Sequence, residues 1–220
     1  MATRFLLSAD GHAHTDIIAH STAFFPMRTG EGFLAMLGAI GAGTIGDFLA
    51  QNASAKAFVD DPKPSPASFV RERFWGVNAF KLVSGEGRET FVRYRITPEA
   101  GVAHLSDAEV RGKDEDYLFA SLGADLPATF TLSVQIAAEG DVTDDATRHW
   151  PESREVVELG KIKVESVVEE KESRAEQQKV IFDPIPRVEG VEASADPLLD
   201  MRAAVYLVSG RERRAAASTA

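Results

Sequence analysis

Arg202 and Tyr206 stand four residues apart between two helix-boundary signals, so they share one helical face. An arginine so placed can donate to the phenolic oxygen and favour the phenolate. An anionic tyrosine is one of the few protein ligands used for haem iron. The same spacing also describes an amphipathic helix whose tyrosine packs on a core while its arginine snorkels past. A second candidate is GHAHTD, where His12, His14 and Asp16 alternate as ligands on one side of a strand would. A solvated polar turn accounts for the same residues. His104 and His149 read as surface or partly buried side chains. No G-x-x-x-x-G-K-S/T, G-x-S-x-G or H-E-x-x-H occurs, so phosphate-cradling loops, nucleophile elbows and zincin sites lack support.

The helix that carries Arg202 and Tyr206 has a clear start. In Ser194-Ala-Asp196-Pro197 an oxygen-bearing cap precedes proline at the first helical position. Gly210 reads as its stop, with Arg211, Arg213 and Arg214 just beyond, where cations complement the helix dipole. Residues from about 211 to 220 are then expected to be a flexible tail. At the other end, 4–8 and 16–25 read as strands around the turn 9–14. Thr29 can cap a helix from about Glu31, with Phe33, Leu34, Met36, Leu37 and Ile40 as its apolar face. Glycines at 38, 41, 43 and 46 predict its end near Ile40 and a new helix near Ile45. The three prolines of DDPKPSPAS mark 60–68 as a surface arm.

The middle of the chain is strand-rich. Runs 77–83 and 90–96 flank a glycine-containing turn and predict a hairpin. Ser106 and Glu109 predict a capped helix, with another near Tyr117. Phe130, Leu132, Val134 and Ile136 alternate onto one face of a strand over 129–137. Alternation returns in 156–168, and 169–178 is a charged loop or helix. Strands in the middle with helices at both ends give an α+β fold around an antiparallel sheet.

Composition narrows the function. The chain has 220 residues, which suits one domain with one core. It carries 24 Lys+Arg against 34 Asp+Glu, a net charge of −10 that disfavours nucleic acid and anionic membrane surfaces. The longest apolar stretch, 33–49, is interrupted by four glycines and Asp47, so it does not read as a membrane span. The start MATRFLLSADG lacks the form of a secretory signal, and a cytoplasmic location is expected. The absence of cysteine excludes disulfides, thiolate metal sites, iron–sulfur clusters and cysteine nucleophiles.

The stretch FDPIPRVEGVEASADPLLDMRAAVY, from Phe182 to Tyr206, resembles the segment that delivers the proximal haem ligand in haem catalases. Phe182, Asp183, Pro184, Gly190, Glu192, Ser194, Asp196, Leu199, Arg202 and Tyr206 follow that family's order. Upstream, WGVNAFKLV, FVRYRITPEAG, LSDAEV, DYL, FTLSVQIA, DATRHWP and LGKIKV also fall in family order. DIIAHSTAFFPMR is similar to the strand crossing the distal haem face. The resemblance runs from about residue 4 to 214, and its short form is nearest to the small catalase-related peroxidases.

The resemblance implies a catalase-like antiparallel β-barrel core with flanking helices and bound haem b. It implies a haem-dependent oxidoreductase that reduces hydrogen peroxide or organic peroxides, with an electron donor not identified and homo-oligomerisation open. Tyr206 matches the tyrosinate that ligates iron, and Arg202 the arginine that hydrogen-bonds it. Arg213 falls where the family has a propionate-binding arginine, with Arg211 and Arg214 as competitors. Phe33 matches the distal phenylalanine that packs on the porphyrin, and Phe25 lies in the aromatic pair before it; both can equally be core residues. The family's distal histidine lies well upstream of the strand matched by 16–27, on a segment this chain is expected to lack. His20 stands at the family's distal asparagine. Three outcomes stay open: a shortened copy without its catalytic histidine, His20 as the substitute acid–base group, or haem binding with weak or no turnover.

Overall fold

The computed structural model describes residues 1–217. The chain opens with a hairpin in which β1 (Ala2–Leu6) pairs antiparallel with β2 (His14–Ile18). Arg4 lies opposite Asp16 in this pair and holds it in a two-pronged ion pair at 2.8 and 2.7 Å. One Asp16 oxygen also accepts the Asp183 amide at 2.8 Å, and Arg4 donates to the Ile181 carbonyl at 2.6 Å. Asp16 therefore ties the hairpin to a segment more than 160 residues away. It is not free to join His12 and His14 around a metal, and His14 instead sets Nδ1 3.2 Å from the Gly11 carbonyl.

Three helices follow: α1 (Gly30–Gly41), α2 (Ile45–Gln51) and α3 (Ala53–Asp60). The Thr29 hydroxyl caps α1 by accepting the Gly32 amide at 3.2 Å. The turn between α1 and α2 uses Gly43 at φ 70°, a conformation that glycine reaches without a Cβ clash. The expected apolar face of α1 is only partly buried. Met36 points inward, whereas Leu34, Leu37 and Ile40 are exposed.

The proline arm leads through a single 3₁₀ turn at Phe69–Arg71 into the sheet. Its strands are β3 (Phe74–Trp75), β4 (Phe80–Val83), β5 (Glu89–Pro98), β6 (Ala128–Ile136), β7 (Val156–Val164) and β8 (Val191–Ala193). Between β5 and β6 lie two short helices, α4 (Asp107–Val110) and α5 (Tyr117–Leu122). Ser106 and Glu109 form the reciprocal capping box of α4. The helix α6 (Glu170–Lys179) follows β7, and α7 (Pro197–Ala217) ends the described chain.

The sheet order is β7-β6-β5-β4-β8, antiparallel throughout, with β3 beside β4 on the same edge of β5. The fold is α+β around an antiparallel sheet, but the expected barrel does not close among the described residues. Among the described residues, main-chain pairing joins the β1–β2 ribbon to the sheet only through an isolated bridge from His20 to Trp75, so no ladder runs from β7 round to β8. The alternation in β6 does place Phe130, Leu132 and Val134 in the core, with Ile136 against it. Val92, Tyr94 and Ile96 of β5 join them, with Ile17 and Ala19 from the hairpin.

The helix stop expected at Gly210 is corrected by α7, which continues through Ala217. Residues 218–220 lie outside the described residues. Gly210 does not take the positive φ of a C-terminal cap. A Cβ there would occupy the space of the Ile181 side chain, so this glycine permits close packing rather than ending the helix. Arg213 and Arg214 donate to the Gln177, Val180 and Lys179 carbonyls at the end of α6. The cations thus complement a helix dipole, but that of the neighbouring helix.

Candidate functional site

Asp196 begins α7 by accepting the Leu198 amide at 2.9 Å, and Pro197 needs no donor partner at the first position. This start fixes the rotation of the helix. Leu198 and Leu199 are buried, and Leu198 packs with Val77 and Ala146 in a second small core that Phe25 and Met201 flank. Arg202 and Tyr206 follow on one face, and Arg202 Nε donates to the Tyr206 oxygen at 3.1 Å.

Arg202 is itself oriented. Its Nη1 donates to the Asn78 side-chain oxygen, and Asn78 Nδ2 donates to Asp196 Oδ2 at 2.8 Å. The polarity is forced, because a guanidinium can only donate and a carboxylate only accept. The Asn78 amide therefore spans a cation and an anion with its dipole aligned to both. Asn78 is 2% exposed and sits in the interruption between β3 and β4. Burial holds the Asp196 carboxyl above the usual carboxylate range, against the opposing pull of the Leu198 and Asn78 hydrogen bonds. Arg202 Nη2 is buried with no hydrogen-bond partner among the described residues.

A cavity of about 260 Å³ opens beside Tyr206, lined also by Ala2, Ile18, Ile181, Phe182, Ser209 and Arg213. Ile17 and Ala19 face the sheet core, whereas Ile18 lines the cavity. The His20 main chain is pinned by two hydrogen bonds to Trp75, 2.8 and 2.7 Å long. Its ring meets Phe25 edge-on at 6.0 Å, and Phe25 meets Phe33 at 5.0 Å. Burial pushes the imidazole down to about 4, helped by the charges of Arg202 and the chain terminus. His20 is thus a neutral base near pH 7, electrostatically coupled to the arginine beside Tyr206.

The structure therefore groups His20, Phe25 and Phe33 in one contact series and Arg202 with Tyr206 in another. Arg213 lines the Tyr206 cavity, but its guanidinium is engaged by the carbonyls of Gln177 and Val180. Asn78 and the side-chain role of Asp196 were not foreseen as site features. No spacing rule links positions 78 and 202, which meet only when the sheet packs on α7.

A family model described as Catalase matches residues 45–219. The chain belongs to the catalase family. The catalase match begins after His20, Phe25 and Phe33 and includes Asn78, Asp196, Arg202 and Tyr206. A catalase-related peroxidase of Mycolicibacterium paratuberculosis is 33% identical over 224 residues, 97% of this chain and 70% of that protein. A second catalase-related peroxidase, from Synechococcus elongatus, is 26% identical over 74% of this chain and 48% of its own length. Among solved structures, catalase A from Saccharomyces cerevisiae superimposes with a TM-score of 0.80 at 21% identity. That match covers 96% of this chain and 48% of the yeast chain. This chain thus spans the fold of about half of a full-length catalase.

Proposed function

We propose that this protein is a haem-dependent peroxidase that reduces hydrogen peroxide or an organic peroxide. The observation that carries the reading is the Tyr206–Arg202–Asn78–Asp196 series, which fixes the phenolic oxygen of a residue that lines an apolar-walled cavity. Its residues fit a haem. The phenol is a known type of iron ligand, the cavity walls are largely aliphatic and aromatic, and Arg202 Nη2 is a buried donor still lacking an acceptor. Haem bound there would supply a redox-active iron at which the peroxide O–O bond is cleaved.

The protein's own residues then divide the work. Arg202, held by Asn78 and Asp196, donates to the Tyr206 oxygen and fixes its position. Arg213 lines the cavity and spends two of its five N–H donors on α6 carbonyls, so it could offer others to a propionate. Neutral His20 can accept a proton from one peroxide oxygen and return it to the other, which is general acid–base catalysis. Phe25 and Phe33 limit water around that imidazole.

The test is peroxide consumption by haem-loaded protein in the presence of a reducing co-substrate. Turnover that falls by about 10²- to 10⁴-fold in His20→Ala with haem retained supports the assignment. Haem binding without turnover would leave the protein a non-catalytic haem binder.

A further inference from the structure

The strand β7 ends the sheet, and among the described residues no main-chain hydrogen bond reaches its outer side. Such an edge offers a row of N–H and C=O groups to another strand. Val156, Val157 and Leu159 on it are 45%, 40% and 50% exposed. Natural edges are commonly guarded by lysines, and β7 carries Lys161 and Lys163. Here both are answered within the chain. Lys161 pairs with Glu99 at 2.7 Å and Glu158 at 3.1 Å, and Lys163 pairs with Glu165 at 2.9 Å. The guard is therefore neutralised.

Pairing with β6 fixes which side chains share a face. Val157, Gly160, Ile162 and Val164 lie opposite Val134, Leu132, Phe130 and Ala128, which form or flank the core. Val156, Glu158, Lys161 and Lys163 take the other face, and Leu159 is the extra residue of a bulge. An open groove of about 310 Å³, walled by Leu82, Val134, Ile136, Val157 and Leu159, leaves apolar surface uncovered at this edge.

A second copy of the chain suits this edge. Directly opposite residues of an antiparallel pair share a face, so a two-fold axis normal to the sheet must bring like faces of β7 together. With the axis at Gly160, Glu158 stands opposite the second copy's Lys161, twice over by symmetry, and Val157 stands opposite its Ile162. Moving the axis to Lys161 sets the two copies of Lys161 face to face, and moving it to Ile162 sets Lys161 against Lys163. Charge complementarity thus selects one register.

We propose that two copies of this chain associate through antiparallel pairing of β7 with β7, in the register that sets Glu158 against Lys161 across the axis. Main-chain hydrogen bonds join the strands, and the charges fix their alignment. The inference is independent of the peroxidase reading.

The test is sedimentation velocity of the full chain from about 1 to 100 µM, a range suited to an interface of modest area. The unaltered protein should show a concentration-dependent dimer. Glu158→Lys alone and Lys161→Glu alone each set like charges opposite one another and should weaken it by about tenfold or more. An equimolar mixture of the two variants should recover the dimer, because opposite charges then meet at both sites. A role of the pair within one chain predicts no such recovery, since each variant chain still carries two like charges there. Hydrogen exchange needs no variant: amides of 156–163 in the unaltered protein should slow as concentration rises, and those of β1 should not. A monomer throughout the range overturns the proposal. So does protection in β1 in place of β7, or a mixture no more dimeric than its components when both variants keep the circular dichroism of the folded chain.

Discussion

Asn78 and Asp196 meet across 118 residues of sequence through a buried 2.8 Å hydrogen bond, and the Arg202 guanidinium is held on the other end of the same amide. The bond locks the interruption between β3 and β4 to the first turn of α7. Both ends of this pair are nearly inaccessible, Asn78 at 2% and Asp196 at 3% exposure.

Asn78→Leu keeps much of the volume and removes both hydrogen bonds. It leaves a carboxylate oxygen and a guanidinium nitrogen buried without partners, at a cost of about 2–4 kcal/mol. Urea denaturation should show a lower midpoint with an unchanged slope. A midpoint equal to that of the unaltered protein would mean that the amide does not orient Arg202.

His20 predicts a pH dependence in the haem-free protein. Its folded value of about 4 lies below the unfolded value near 6.5, so between these limits the unfolded chain binds more protons. Its contribution is intact above about pH 6.5 and is lost as the pH falls towards 4. The size is on the order of 3 kcal/mol. Stability measured from pH 7 to 4 should fall less steeply in His20→Phe than in the unaltered protein. An NMR titration that finds the imidazole half-protonated near 6.5 would refute the burial argument.

Gly210→Val introduces atoms where the Ile181 side chain lies. A residue other than glycine is a better helix former, which is worth a few tenths of a kcal/mol here, but overpacking costs about 1–3 kcal/mol and decides the sign. Thermal melting should show a lower Tm. Hydrogen exchange should also quicken in α6, because the displaced 181–182 segment joins it to the wall of the Tyr206 cavity. A raised Tm would show that the contact between Ile181 and α7 yields freely.

What could be read from sequence follows how local the determining interaction is. The α4 capping box and the Asp196–Pro197 helix start need only a few adjacent residues, and both form as their residue types dictate. The Arg202–Tyr206 contact was equally legible, since one helical turn brings the pair together. Gly210 was misread because a glycine that ends a helix and one that admits a neighbour are identical in one dimension; Ile181 decides between them. Arg213 lies beyond local rules for the same reason. Its partners are main-chain carbonyls of α6, which carry no side-chain signature. Sheet closure depends on pairing between distant strands, and here the link from the first hairpin is a single bridge.

The central claim is that the Tyr206 oxygen is a haem-iron ligand, and haem titration followed by absorption spectroscopy tests it most directly. The unaltered protein should take up one haem per chain and give a ferric spectrum with tyrosinate ligation. Tyr206→Phe should lose that spectrum while keeping the far-ultraviolet circular dichroism of the folded chain. A tyrosinate spectrum that persists in Tyr206→Phe, or no haem uptake by the unaltered protein, would contradict the account.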